Sequence, residues 1–560
     1  MADIEQPMGE AAPAAKKKRH RFIPTDGSYP FHPFLFAAAS VLAVMARNLD
    51  HAGLADVLPS LVGVLLFALA VYLLVALLRR RLDRLTAIIS SIWVVGLLFY
   101  GQLFKDVNGI VQGSFSMAKT LPYAFAILVA VTALAILLRR ASGLVHSVLT
   151  GIAAVLLITP IWNTVSYEWR NGAAREIYNL DRAMAEIDPF IAPAGERISS
   201  KRPPDIYHFI FDRYASEPIL QQHFGIDNSA IGRFLEQRGF YVARDSNSNY
   251  QKTGHSLAST LYMDYLNLLG DDPRAKGSNW RPIYEMLDET RASKFLISQG
   301  YDFLQFGSWW VGTYDNPLAK ENHPHGFSEF EMIYLRTTAA LPVSHILPRR
   351  PLTMRLDWDN AQCQRVGPQV EEIKAIGERD KPVYVFAHFL VTHGPFVFTP
   401  EGRCLTLQEQ IKRGEDQGYV DGIAYANKII EEIVTTLQSP DREPPIIIIQ
   451  ADEGPFPERD WSIPWQDSPV DDLRIKAGIL NAYFFPNKDY GSLRSDITPV
   501  NSYRVVFNNY LGANFPILPD RIFFFPNDAN IYEFHDVTEK IRRPANVAGR
   551  AIDQPLQPVN

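Results

Sequence analysis

Cysteine is almost missing: the 560 residues include two, Cys363 and Cys404. That excludes a disulfide-dense scaffold and a cysteine-based zinc cluster. Two readings stay open, a pair of buried thiols or one bridge, and the bridge requires an oxidising compartment. A strong charge of one sign is missing too. The formal charge of −6 gives no case for a nucleic-acid partner. There is no internal repeat, and no low-complexity tract beyond the Ala- and Lys-rich first 20 residues, which are expected to be disordered. The apolar segments lack the runs of intramembrane charge that mark ion pathways, so a transporter is a poor reading. A cleaved signal peptide is not expected either, because the first basic run is followed by the polar stretch FIPTDGSYPFHP.

What is present is a division into an apolar half and a half of ordinary globular composition. Five stretches, near 33–49, 57–78, 84–104, 119–138 and 144–164, are apolar enough to cross a bilayer, which takes roughly 20 residues each. Basic clusters at Lys16–Arg21, Arg79–Arg84 and Arg139–Arg140 precede the first span and separate the second from the third and the fourth from the fifth. The loops at 50–56 and 105–118 are poor in Lys and Arg. Positive residues stay on the inner side, so a cytoplasmic N-terminus and an extracytoplasmic segment from 165 onward are expected. The domain plan is then a tail over 1–30, a five-span unit over 31–164, a connector helix over 165–203, a catalytic domain over 204–530 and a C-terminal tail over 531–560.

From Pro204 strand-like runs alternate with helical ones: DIYHFIFDRY, SAIGRFLEQRGF, KPVYVFAHFL, GIAYANKIIEEIVTTLQ and PPIIIIQADEG. Such alternation predicts an α/β domain with a largely parallel central sheet. The unbroken IIIIQ suits a strand covered on both faces. Ligands in such sheets sit beyond the carboxyl ends of the strands. Asp212, His393 and the pair Asp452–Glu453 all stand at or just past such ends.

Each of these residues has a chemistry. Asp212 and Asp452–Glu453 are hard oxygen donors for a cation, and adjacent acids after a buried strand are costly unless something positive meets them. Alone, Asp212 reads first as an N-cap or a salt-bridge partner of Arg213, and the pair reads equally as solvated loop acids. Thr253 sits in a loop leading into the helical SLASTLYMDYL, where free N–H groups favour an anion; its hydroxyl needs a base or a metal to become a nucleophile. Taken alone it reads first as a helix N-cap, and Ser256 is the rival hydroxyl. His393, in the turn THGPF, can hold or protonate a leaving oxygen or ligate metal. His388, inside the strand run, reads as a packed residue, and His255 is a weaker candidate. Arg213, Trp309, Trp310 and Arg403 are candidates to line a pocket for an anionic or sugar-bearing substrate.

The order of these pieces, an Asp at the first strand end, T-x-x-S, THGPF and a late D-E-G, resembles the alkaline phosphatase superfamily in its sulfatase-like branch. The membrane-anchored layout resembles lipoteichoic acid synthases and phosphoethanolamine transferases. The resemblance implies a nucleophile at Thr253, metal ligands at Asp212, Thr253, Asp452 and Glu453, and a substrate contact at His393. It implies a divalent cation, and Glu453 standing where the family usually has histidine favours Mg²⁺ or Mn²⁺ over Zn²⁺. Neither cysteine lies in a C-x-P-x-R context, which speaks against a formylglycine sulfatase. The expected function is a phospho-group transferase acting on envelope lipids or glycans, with its catalytic domain in the periplasm or on the outer face of the inner membrane. A hydrolase of the same superfamily and a catalytically silent glycan- or lipid-binding receptor are the alternatives.

Overall fold

The computed structural model describes residues 29–111, 116–177, 202–346 and 361–542. Residues 1–28 of the expected 1–30 tail, the stretch 178–201 of the expected connector and the last residues, 543–560, lie outside this range. The chain divides into two compact units. One contains Ser60–Trp162, Thr337–Ala339 and the residues up to Val44; the other contains Met45–Pro59, Asn163–Arg336 and the chain from Ala340.

The N-terminal region is helical: α1 (Phe31–Met45), α2 (Leu54–Arg79), α3 (Arg84–Leu98), α4 (Tyr100–Val111), α5 (Met117–Leu137) and α6 (Ser142–Ile177). Among the described residues, three helical segments are long and apolar enough to cross a membrane, at Leu54–Arg79, Met117–Leu137 and Arg139–Arg175, with mean hydropathies of 3.0, 2.2 and 2.1. The 26 residues of α2 extend ~39 Å at 1.5 Å per residue, more than a ~30 Å hydrocarbon layer. Their large side chains, Leu66, Leu77, Phe125, Ile127, Leu156 and Trp162 among them, point outward, as a lipid-facing surface requires.

The expected span over 84–104 takes a different form. α3 and α4 meet at a 62° bend. In a continuous helix the Leu97 carbonyl would accept from the Gly101 N–H. Here Leu97 O accepts from Ala339 N at 2.8 Å, and Gly101 N donates to Thr337 O at 2.8 Å. A distant segment has replaced the helix's own bonds at the break. α1, at 15 residues, is short for a span, and α6 runs through residue 165 without interruption into the first part of the connector.

The second unit holds a seven-stranded sheet. Its strands are β1 (Ile206–Phe211), β2 (Tyr241–Val242), β3 (Asp302–Phe306), β4 (Glu321–Asn322), β5 (Val383–Phe389), β6 (Ile446–Gln450) and β7 (Asn481–Phe484), in spatial order β2-β7-β6-β1-β5-β3-β4. The five strands β6-β1-β5-β3-β4 are parallel; β7 runs antiparallel to β6, and β2 antiparallel to β7. This is the α/β architecture with a mostly parallel sheet that the alternating pattern predicts. Every residue of β1, β5 and β6 is buried, because helices cover both faces.

Side chains alternate between the two faces. Tyr207, Phe209, Phe211, Val385, Ala387, Ile447 and Ile449 belong to one core cluster. It also contains Val366 and Val370 of α8 (Ala361–Lys374) and Ile430 and Ile433 of α9 (Leu407–Leu437). Ile206, Ile210, Tyr384, Phe386, Ile446 and Ile448 face the other core, against Leu257, Ala258 and Leu261 of α7 (Thr253–Tyr262), the Thr253 helix. Cys363 and Cys404 are joined in a disulfide with Cα atoms 5.6 Å apart. Residues 531–542, expected to be a tail, contain Val537 and Ile541, which pack with Leu473, Ile522 and Phe524; the apolar spacing there is too sparse to predict burial.

Candidate metal centre

Three strand ends build the site. Register sets Ile210 beside His388 in β5 and beside Gln450 in β6, so Asp212 and Asp452 emerge next to one another. Asp212 N donates to Phe389 O at 3.0 Å, and Thr392 Oγ1 donates to Asp212 O. Following the two-residue alternation, Asp212, His388 and Asp452 share the sheet face that the Thr253 helix covers. Donor atoms of these three residues lie within 4.8 Å of one another. They are at most 2% exposed.

Asp212 Oδ1, Asp452 Oδ2 and His388 Nε2 are buried and have no hydrogen-bond partner among the described residues. Buried polar atoms without partners are costly, and two carboxylates beside one imidazole are a donor set that suits a divalent cation. The charges point the same way. Burial opposes ionisation of Asp212, but the neighbouring His393, His388 and Arg213 hold it below the usual carboxylate range. Burial together with the charges of Asp212 and Glu453 pushes Asp452 well above that range. Two neighbouring acids displaced in opposite directions are a pair short of positive charge.

His388 is oriented from behind. Its Nδ1 lies 2.8 Å from Thr313 Oγ1, which lies 2.8 Å from Ser308 Oγ; Ser308 Oγ accepts from Trp310 N at 3.1 Å. A relay running from Nδ1–H to Thr313 to Ser308 leaves the Nε2 lone pair facing Asp212 Oδ2, 3.4 Å away. His388 had read as a packed residue. The signal that finds it is parity: it shares the face of Asp212 and stands one residue before the strand end.

Thr253, half-buried, opens its helix. Its Oγ1 donates to Asp212 Oδ2 at 3.4 Å. Asp212, Thr253 and Asp452 are therefore brought together as the sequence suggests. Glu453 lies beside them, and its Oε1 accepts from Arg213 Nε at 2.9 Å and Lys476 Nζ at 2.9 Å, while Oε2 has no hydrogen-bond partner among the described residues. Lys476, invisible as a site residue in the sequence, is fully buried. It also donates to Gly454 O at 2.9 Å and stands 3.6 Å from the centre of the Phe456 ring. Burial brings its ammonium down to about 8 although Glu453 works in the opposite direction.

Arg213 adopts a left-handed backbone, φ 59°, unusual for a side chain of its size. That conformation lets its N–H donate to Asp452 Oδ1 at 3.2 Å while its guanidinium reaches Glu453 and stands 4.5 Å from the centre of the Phe456 ring. His393 is at the rim. Burial lowers its pKa, partly offset by Asp212; its Nδ1–H donates to Gly394 O, and its ring meets Trp309 edge-on at 5.9 Å. Trp310 meets His388 in the same way at 6.4 Å.

The remaining candidates lie elsewhere. Arg403 pairs with Glu409 at 3.0 Å in an exposed turn, so the structure does not bring it to this group. His255 is buried among Trp280, Phe525 and Phe534 and bonds Ile531 O at 2.9 Å. Ser256 is buried one residue further along the same helix.

No family model matches the chain, and no curated protein matches it. Its neighbours among solved structures are phosphoethanolamine transferases, sulfatases and members of the alkaline phosphatase superfamily. One is the C-terminal periplasmic domain of EptC from Escherichia coli in complex with zinc, at 10% identity and a TM-score of 0.39, covering 62% of this chain and 96% of that one. Another is the integral membrane lipooligosaccharide phosphoethanolamine transferase A from Neisseria meningitidis, at 12% identity and 0.33, covering 86% and 95%. A third is a protein in the alkaline phosphatase superfamily from Vibrio parahaemolyticus, at 11% and 0.37, covering 62% and 80%. Identities and scores this low leave the chemistry to be argued from the site itself.

Proposed function

We propose that the chain is a membrane-anchored, divalent-metal-dependent phospho-group transferase with Thr253 as nucleophile. One observation carries the reading. Three buried donors with unpartnered atoms, Asp212, His388 and Asp452, converge beside a threonine hydroxyl at a helix N-terminus. These residues, with Thr253, would hold the cation. When bound, it would supply positive charge to the phosphoryl oxygens and lower the pKa of the hydroxyl. Because an imidazole stands in the group and Glu453 is engaged by Arg213 and Lys476, the case for Mg²⁺ or Mn²⁺ that rested on Glu453 loses its premise, and the donor set favours zinc.

The protein's own residues do the rest. Thr253 Oγ1 attacks phosphorus and passes its proton to Asp212 Oδ2, the acceptor of its hydrogen bond. The new O–P bond forms as the bond to the leaving oxygen breaks, and that oxygen departs with its electron pair past His393, whose Nε2 must carry a proton to donate to it, since Gly394 O holds Nδ1–H. Free N–H groups at the start of the Thr253 helix favour the phosphoryl anion. A sugar hydroxyl or headgroup acceptor then attacks the phosphothreonine and regenerates the free hydroxyl. With water as acceptor the same site is a hydrolase.

Substrate class is inferred from the adjoining cleft. About 580 Å³ in volume, it is lined by Arg213, Phe224, Phe396, Tyr419 and Phe456, with Glu415 and Asp416 also in its wall. A cation beside an apolar wall suits an amphiphile with a phosphorylated head, which supports transfer on an envelope lipid or lipid-linked glycan. The lysine and arginine clusters favour a cytoplasmic N-terminus, and the Cys363–Cys404 bridge favours an oxidising compartment for the catalytic domain.

Thr253→Ala should abolish turnover with the fold intact by circular dichroism, while Thr253→Ser keeps measurable activity. Full activity in Thr253→Ala sinks the nucleophile assignment. Assays with and without a glycan acceptor separate transfer from hydrolysis.

A further inference from the structure

A second cluster of metal-binding side chains lies away from Asp212. His323 and His325 flank Pro324 just after β4, and Glu372 faces them from α8. His323 Nδ1 lies 2.9 Å and His325 Nε2 3.0 Å from the same oxygen, Glu372 Oε2. All three donor atoms lie within 4.8 Å of one another. We propose that His323, His325 and Glu372 form a second divalent-metal site, of zinc type, that pins the loop after β4 to α8.

Three observations support it. First, two imidazoles and a carboxylate are borderline-soft donors, the set that zinc takes when one position stays open. Second, a tetrahedral ion with bonds near ~2.0–2.1 Å places its ligands about 3.3 Å apart, so the two nitrogen–oxygen separations need only widen by a few tenths of an ångström. Third, the rings are held in place. His323 stacks on Phe306 at 4.4 Å and 8°, and its backbone N–H donates to Gln305 O at 2.8 Å; Pro324 restricts it further. His325 is held at φ 34°, a left-handed conformation that ordinary side chains rarely adopt, and this conformation accompanies a ring turned toward Glu372. The three side chains are 23–41% exposed, open to loading from solution.

The site has a place to act. α8 also carries Arg365, which donates to Ser308 O and Phe327 O, each at 3.0 Å. Ser308 begins the relay that orients His388. An ion at Glu372 therefore ties the loop that follows β4 to the helix that holds the 308–313 segment.

The test is zinc stoichiometry in full-length protein, stripped with chelator and titrated with Zn²⁺ alone. Wild type should bind two ions per chain. His325→Ala with Glu372→Gln should bind one, and Asp452→Asn should also bind one, at the other site, so failure of either assignment shows separately. Two ions retained by the His325→Ala/Glu372→Gln protein overturn the proposal, as does a wild type whose single ion is lost in Asp452→Asn. A zinc-edge anomalous map of wild-type crystals decides the matter if that variant does not fold: a peak touching both rings and Glu372 supports the site, and its absence at saturating zinc overturns it.

Discussion

Single atoms carry the chemistry here, and their neighbours set what each can do. His388 offers Nε2 to the acids because Thr313 holds Nδ1 at 2.8 Å. Partners behind a metal-bound histidine typically contribute 10–100-fold in affinity. Thr313→Val should therefore weaken zinc binding by about that factor, read by competition with a chromophoric chelator, with the fold unchanged. Lys476 has a different task. It neutralises Glu453, which burial alone would make costly, and both are at most 1% exposed. Lys476→Met should destabilise the protein by about 1–3 kcal/mol, because the buried carboxylate keeps Arg213 as a partner and loses Lys476. Adding Glu453→Gln should recover part of that loss in chemical denaturation. If Lys476→Met is as stable as wild type, the pair has no such role.

Elements position these atoms through features of unequal visibility in the sequence. β1, β5 and β6 are legible because their apolar runs are continuous and each ends at polar, site-bearing residues. Asp212 and Asp452 were legible for that reason, and Thr253 through its place at a helix start. His388 was harder to see because a histidine inside an apolar strand reads as packing until strand parity is compared across three segments. Lys476 could not be found, since nothing near Ile475 or Ala477 in the chain signals a carboxylate more than twenty residues away. The bend between α3 and α4 was equally hidden, because its cause is the hydrogen bonding of Leu97 and Gly101 with 337–339. Within the helical unit, a Cβ added at Gly96 of α3 would collide with Leu128 of α5. Gly96→Val should cost about 1–3 kcal/mol by overpacking, seen as a lower melting midpoint in detergent. An unchanged midpoint would mean that α3 and α5 do not pack closely in the membrane protein.

For the molecule as a whole, composition separates an apolar helical region from an α/β unit. The Cys363–Cys404 bridge spans 41 positions, and its loss should cost about 2–4 kcal/mol. Protein extracted from cells in the presence of an alkylating reagent should carry no modified cysteine. Two alkylated thiols would count against an extracytoplasmic catalytic domain. The central claim is that chain segments remote in sequence grip one cation against the Thr253 hydroxyl. A zinc-edge anomalous difference map of the full-length protein tests it most directly. The account predicts a peak at bonding distance, about 2.0–2.2 Å, from Asp212, His388, Asp452 and Thr253 together. Saturated crystals with no density among these four, or with an ion held by Glu453 and not by His388, would contradict it.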